Sequence, residues 1–207
     1  MKCFIFSSGK IESYSWLETL DFADAFIICA DGGIRHSNRL NIDADVWMGD
    51  ADSLEDSEIN AKKIIRFPAK KDNTDTDLAV MYALEHGFKD ILIIGALGGR
   101  LDHEFSHFCL LKKIVDNGGK GFLLDEKNVV TMENKSFDVP DIGKKYVSFF
   151  PFGGDIESFS VKGLLYEADN VHLACGKVEA SSNQFVKDKK ARVTFEQGCV
   201  LVIYSDD

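Results

Sequence analysis

Six short, unbroken apolar runs separated by helix-length segments dominate the first 130 residues, and no other feature restricts the fold so tightly. The runs are Cys3–Phe6, Ala25–Cys29, Val46–Met48, Ile64–Phe67, Ile91–Ile94 and Phe122–Leu124. Each is continuous rather than alternating in polarity, the pattern of a strand covered on both faces. Between them the spacing predicts helices over 12–20, 33–40, 55–62, 75–86 and 103–116, the fourth ending before Gly87. This rhythm implies an α/β fold with a doubly wound, mostly parallel sheet. Such sheets bind ligands beyond the carboxyl ends of their strands, so the residues just after each run are where function is to be sought.

From about residue 134 the rhythm changes. Short β-rich runs (Tyr146–Phe150, Ser158–Val161, Val171–Leu173, Lys177–Ala180, Arg192–Phe195 and Val200–Tyr204) are separated by turn clusters such as Gly153-Gly154, Asp169-Asn170 and Ser181-Ser182-Asn183. No helical period appears there. The expected organisation is an α/β domain over 1–130 followed by an all-β sandwich over 135–207, with the boundary near 125–140. A net charge of −10, from 34 acidic and 24 basic residues, argues against nucleic acid or an anionic membrane as the main partner. No apolar run approaches the roughly 18 residues of a membrane helix, and nothing resembles a signal peptide. The five cysteines are scattered and form no CxxC pair; a reduced cytoplasm is expected.

Four strand-end segments carry chemistry. After Ala25–Cys29 comes Asp31-Gly32-Gly33, where glycines let backbone N–H groups approach an anion; a tight turn capped by Asp31 is the plainer reading. After Val46–Met48 comes Gly49-Asp50-Ala51-Asp52-Ser53, two carboxylates suited to a hard cation. These lie in an acidic block from Asp43 to Glu58 that contains no Lys or Arg, and such blocks are often solvated faces. After Ile64–Phe67 come Lys70, Lys71, Asp72 and Asp75, the last inside Thr74-x-x-Asp77, which also reads as a capping box for helix 75–86. After Ile91–Ile94 comes Gly98-Gly99-Arg100-Leu101-Asp102-His103, with a planar donor fork in Arg100 and a carboxylate in Asp102. Neither GxGxxG nor GxxxxGK[ST] is present, so neither a dinucleotide fingerprint nor a P-loop is supported. Mutually repelling acids gathered at one sheet edge are tolerable if a divalent cation neutralises them, which fits Mg²⁺-dependent phosphoryl or pyrophosphoryl transfer.

His103-Glu104-Phe105-Ser106-His107 also matches HExxH, so a zinc metallopeptidase is the alternative from a different class. The extended zincin pattern fails at Leu110, and this reading leaves the other three strand-end segments without a task.

Taken in order, Asp31-Gly32-Gly33, Gly49-Asp50-x-Asp52-Ser53, Lys71-Asp72-x-Thr74-Asp75 and Gly98-Gly99-Arg100-Leu101-Asp102-His103 resemble the thiamine pyrophosphokinase family. Gly163-Leu164-x-Tyr166 and Ser182-Asn183 resemble its C-terminal motifs. The resemblance implies an α/β domain that binds ATP and Mg²⁺, followed by a thiamine-binding β-sandwich. It implies transfer of pyrophosphate from ATP to the thiamine hydroxyl, giving thiamine diphosphate and AMP. The implied catalytic residues are Asp50, Asp52, Asp75, Arg100 and Asp102, with the four aspartates holding the metal. Asp31, Gly32, Gly33, Lys71, Asp72 and Arg100 are implied to contact ATP; Tyr166, as an aromatic platform, Ser182 and Asn183 are implied to contact thiamine. A homodimer with its active site at the subunit interface is also implied. Two positions depart from the pattern: Ile34-Arg35 follow the DGG turn where Asn is usual, and His107 stands where Asn is common.

Overall fold

The apolar runs of the first unit become parallel strands, and all but the edge run can bury both faces. The computed structural model describes residues 1–50, 59–68, 70 and 72–207, and its chain divides into Met1–Glu126 and Lys127–Asp207. In the first unit β1 (Lys2–Phe6), β2 (Phe26–Ala30), β3 (Ala44–Gly49), β4 (Ala61–Arg66), β5 (Asp90–Ile94) and β6 (Lys120–Leu124) lie in the order β4-β3-β2-β1-β5-β6. All these pairings are parallel, with Phe4 opposite Ile27 on one side and Leu92 on the other. Cys3, Phe4, Ile5 and Phe6 are at most 1% exposed, and burial of side chains the size of Phe or Ile stabilises by about 1.5–3 kcal/mol each.

Among the described residues three α-helices cover this sheet: α1 (Ile34–Arg39), α2 (Asp75–Glu85) and α3 (Leu101–Asp116). Both α1 and α2 lie against β1, β2 and β3, while α3 lies against β6 and α2. Helix α2 starts as its capping box predicts, the Thr74 side chain accepting from the Asp77 N–H at 3.2 Å. Asp77 in turn accepts from Asn73 at 2.6 Å and pairs with Lys113 of α3, so its carboxylate serves the fold.

Several expectations are corrected. The helix expected over 12–20 is only a 3-10 turn at Ser15–Thr19; Ser13 and Ser15 bond each other at 2.8 Å, and Thr19 back-bonds to the Trp16 carbonyl, the competition that weakens helices. The first half of the helix expected over 55–62 (55–58) lies outside the described residues, and its last two positions, Ala61 and Lys62, open β4. That strand is not buried on both faces: it is the edge of its sheet, carries Lys62, Lys63 and Arg66, and leaves Ile64 47% exposed, as edge strands do to avoid pairing with other chains. Asp45, read with the solvated acidic face, is instead an anchor between strands. It accepts from the Ile27 N–H and from Lys62, both at 2.8 Å.

The second unit is antiparallel throughout. Strands β7 (Asn128–Glu133), β9 (Tyr146–Pro151) and β13 (Val200–Ser205) pair as β7-β13-β9, while β8 (Phe137–Val139), β10 (Ile156–Lys162), β11 (Ala168–Leu173) and β12 (Ala191–Thr194) form β11-β10-β12-β8. Alternate residues of these strands, among them Val147, Phe149, Phe159, Val161, Val193, Val200 and Val202, meet in one core, as in a sandwich. β7 was not anticipated, because its six residues follow the polar cluster Asp125–Asn128 and earn strand status only by pairing with β13, Val130 opposite Ile203. The run Lys177–Ala180 is a turn instead of a strand, with Val178 68% exposed.

Candidate active site

The strand order of the first unit reverses between β1 and β5, which splits the loops leaving those two strands and opens a crevice at their carboxyl ends. Ser7, Ser8 and Gly9 follow β1, and Gly95 to Arg100 follow β5. Together with His103, Glu104 and His107 of α3, all of these but Gly98 line a cavity of ≈ 230 Å³. Two backbone bonds join the loops, Ser7 N–H to the Ile94 carbonyl at 2.8 Å and Gly9 N–H to the Gly95 carbonyl at 3.0 Å. A Cβ at position 9 would stand 2.3 Å from the Gly95 oxygen, so only glycine permits this approach.

Beside this crevice the turn after β2 carries a strained residue. Asp31 holds a positive φ of 46°, a region that non-glycine residues seldom occupy. The Trp47 indole N–H donates to its carbonyl at 2.9 Å. Gly33 sits so close to the end of β1 that a Cβ there would lie 1.9 Å from the Phe6 oxygen. The Asp31 Oδ1 is buried and has no hydrogen-bond partner among the described residues. Burial raises its pKa above the ordinary aspartate value, and the nearby charges of Asp75 and Asp50 add to this, while the Gly32 N–H and Arg35 oppose it. Arg35, a departure from the family pattern, thus acts on the carboxylate beside it. Asp75 reaches this place because it opens α2, whose Thr76 hydroxyl bonds Ser7 at 2.8 Å.

Three carboxylates within electrostatic reach, one with an orphaned buried oxygen, are the donor chemistry of a hard divalent cation. Among the described residues no three His, Cys, Asp or Glu side chains are gathered tightly enough to hold a metal ion as they stand. Asp52 and Lys71 lie outside the described residues. Asp72 is exposed. Arg100 and Asp102 face each other in a two-pronged ion pair, Nε to Oδ1 at 3.1 Å and Nη2 to Oδ2 at 2.6 Å. The guanidinium holds the Asp102 carboxyl below the usual range.

Two of the HExxH residues are engaged by backbone groups. Glu104 accepts from the Gly99 N–H at 2.6 Å, and His107, only 5% exposed, bonds the Ala96 carbonyl through Nδ1 at 2.7 Å. Nothing supports the metallopeptidase alternative.

In the second unit Tyr166 is 64% exposed, whereas Asn183 is 4% exposed. Both ends of the Asn183 amide serve the backbone: Oδ1 accepts from the Tyr166 and Gln184 N–H groups at 3.0 and 2.9 Å, and Nδ2 donates to the Tyr166 carbonyl at 2.7 Å. Asn183 therefore positions Tyr166. Ser182 holds a φ of 56° and its N–H donates to the Ser148 hydroxyl at 2.9 Å.

Sequence reasoning passed over Ser7-Ser8-Gly9, although they follow the first apolar run and the strand-end rule points to them as it does to the other four loops. It also took His107 for a surface or core residue, since nothing in the spacing shows that Ala96 would orient its ring.

A family model described as the thiamin pyrophosphokinase catalytic domain matches residues 18–123, and one described as the thiamin pyrophosphokinase vitamin B1 binding domain matches residues 134–200. The chain is similar to the thiamine pyrophosphokinase of Bacillus subtilis (strain 168), with 34% identity over 166 residues and 77% of each chain covered. The solved structure of a Bacillus subtilis thiamine pyrophosphokinase superposes with a TM-score of 0.88 at 28% identity, covering 100% of both chains. That of a thiamin pyrophosphokinase family protein from Enterococcus faecalis superposes with a TM-score of 0.88 at 26% identity, also covering 100% of both chains. With both of its units matched in order, the chain belongs to the thiamine pyrophosphokinase family.

Proposed function

We propose that the chain transfers the terminal pyrophosphate of ATP to the hydroxyl of thiamine, yielding thiamine diphosphate and AMP. The observation that carries this reading is the buried, unpartnered Asp31 oxygen within reach of the Asp50 and Asp75 charges, at the switch point of a parallel sheet in a chain of this family. The thiamine oxygen bonds to the β-phosphorus, the bridge between the α- and β-phosphates breaks, and AMP leaves with the bridging oxygen. Positioning and charge neutralisation dominate such a transfer.

In this reading Asp50, Asp52, Asp75 and Asp102 are the residues that hold Mg²⁺, which when bound offsets the charge of the carboxylates and phosphates. Asp31 lies within electrostatic reach of Asp50 and Asp75, and its orphaned oxygen supports a cation there. Gly32 and Gly33 offer backbone N–H groups to ATP, Lys71 and Arg100 offer positive charge, and Asp72 stands between the lysine loop and α2. Arg100 suits phosphate because its planar fork delivers two parallel donors. Tyr166 presents its exposed ring to the cationic thiamine, with Ser182 beside it and Asn183 acting through the Tyr166 backbone. The exposed apolar side chains Leu101, Phe105 and Leu165 support a homodimer with the active site at the subunit interface. Five free thiols, two of them pushed up to about 12 by burial at Cys3 and Cys29, support a reducing cytoplasm. No helix among the described residues is long and apolar enough to cross a membrane.

The test is incubation with ATP, Mg²⁺ and thiamine. AMP and thiamine diphosphate are expected in equal amounts; ADP release, or no turnover, overturns the reading.

A further inference from the structure

The crevice at the ends of β1 and β5 holds a polar group to which the proposed reaction assigns no task. His107 is 5% exposed, and its Nδ1 lies 2.7 Å from the Ala96 carbonyl oxygen. A carbonyl oxygen only accepts, so Nδ1 carries a hydrogen and donates it. Burial lowers the His107 pKa below the ordinary histidine value, and His103 pushes the same way, against the Ala96 bond and the Glu104 carboxylate. The ring is therefore neutral near pH 7, and a neutral imidazole protonated at Nδ1 keeps a bare lone pair on Nε2. That nitrogen has no hydrogen-bond partner among the described residues, while the ring lines the ≈ 230 Å³ cavity.

The sign of this group decides what it can recognise. A phosphate oxygen is an acceptor with negative charge, and a lone pair facing it is repulsive. The nearby Glu104 carboxylate, turned to the Gly99 N–H at 2.6 Å, adds negative charge on the α3 side of the cavity, which leaves phosphate to Arg100 elsewhere in its lining. An N–H or O–H donor satisfies Nε2 without moving a proton onto a buried ring.

We propose that His107 determines nucleotide specificity, its Nε2 accepting a hydrogen bond from a donor on the nucleoside half of ATP. This rests on the reading of the strand-end crevice as the nucleotide site. Two parts of the nucleoside carry such donors, the ribose hydroxyls and the exocyclic amine of adenine.

The side chain of Asn is short enough to separate the two roles of His107. In H107N the amide N–H replaces Nδ1–H as donor to Ala96, but nothing reaches the position of Nε2. Dissociation constants and AMP-release rates are measured for wild type and H107N with ATP, 2′-deoxy-ATP, 3′-deoxy-ATP and purine riboside triphosphate, which lacks the amine. The wild type is expected to prefer ATP over one of the three analogues by about tenfold, the size of one good hydrogen bond in a desolvated site. H107N is expected to bind ATP about tenfold more weakly and to lose that one preference, and the analogue concerned identifies ribose or base as the donor. If the wild type distinguishes none of the analogues, or H107N keeps the wild-type ranking, the proposal is overturned. Should H107N fail to fold, the imidazole ¹⁵N spectrum of the wild type decides. The His107 Nε2 resonance is expected to move upfield with ATP and stay in place with the discriminating analogue; no movement with ATP overturns the proposal. Nucleotide binding without AMP release sinks the proposed reaction but not this inference, whereas absence of nucleotide binding sinks both.

Discussion

Asn183 and Tyr166 show how far apart identity and role can stand for a single residue. The turn cluster Ser181-Ser182-Asn183 marked a site in the sequence, yet the Asn183 amide makes one donor bond and two acceptor bonds, all to main chain. Tyr166, 17 positions away in the chain, keeps its ring exposed. Asn183→Ala leaves three part-buried backbone groups without their side-chain partner and is expected to cost about 2 kcal/mol of stability and to raise the thiamine KM by loosening Tyr166. Tyr166→Ala opens no cavity; its melting temperature should match the wild type while the thiamine KM rises about fivefold, the worth of a cation over an aromatic face. Thermal melts and KM values on both variants check this. A raised KM with unchanged stability in Asn183→Ala would place that amide in direct contact with substrate. Residue types at the site were legible because turn chemistry is local. Their partners were not, since a hydrogen bond across 17 residues leaves no mark in spacing.

Among the elements, α2 does the most to assemble the candidate site. Its start is encoded locally in Thr74-x-x-Asp77, and this cap puts Asp75 in the first turn. The same turn is tied to β1 through Thr76 and Ser7, and to α3 through Asp77 and Lys113. Thr74→Ala removes the side-chain acceptor for the Asp77 N–H and is expected to cost about 1 kcal/mol. Because Asp75 rides on that turn, kcat should fall as well, and urea unfolding together with AMP-release rates checks both effects. Elements with local signals, such as the cap of α2 and the apolar run of β1, were legible in the sequence. β4 and β7 were misjudged because edge position and pairing with a distant strand decide them. Lys62 and Lys63 look unlike a strand until the edge of the sheet explains them, and β7 becomes a strand only against β13.

For the folded molecule as a whole, buried histidines set the response to acid. His36 is 8% exposed and His107 is 5% exposed. His36 accepts from the Tyr14 hydroxyl at 2.5 Å and donates to the Gly9 carbonyl at 2.9 Å. Burial lowers the pKa of both rings, with Arg39 and Arg35 adding to the effect at His36. The unfolded chain then binds more protons than the folded one between the lowered value and the ordinary value of about 6.5. Stability from this source is complete above about pH 6.5 and is lost as pH falls through the lowered pKa. Asp31 acts in the opposite sense: its pKa is raised, so protonation relieves the folded state. Unfolding free energies measured by urea between about pH 5 and 8 should therefore fall on the acid side, and replacing His36 and His107 with Asn should flatten the slope. An unchanged slope in the double variant would assign it to other groups.

The sequence by itself determined the class of fold, the change from α/β to all-β near residue 130 and the loops that make up the candidate site. Those properties follow from periodicity, capping and turn chemistry, which act within a few residues. Only the tertiary structure decided which members of those loops meet. It set Asp31 beside Asp50 and Asp75, closed Arg100 on Asp102 and turned the His107 ring into the crevice by means of Ala96. The reason is physical: a buried group's charge, tautomer and open valence depend on whatever packing brings within about 3–6 Å of it, and strand order, unlike strand content, is not written in the spacing of any one segment.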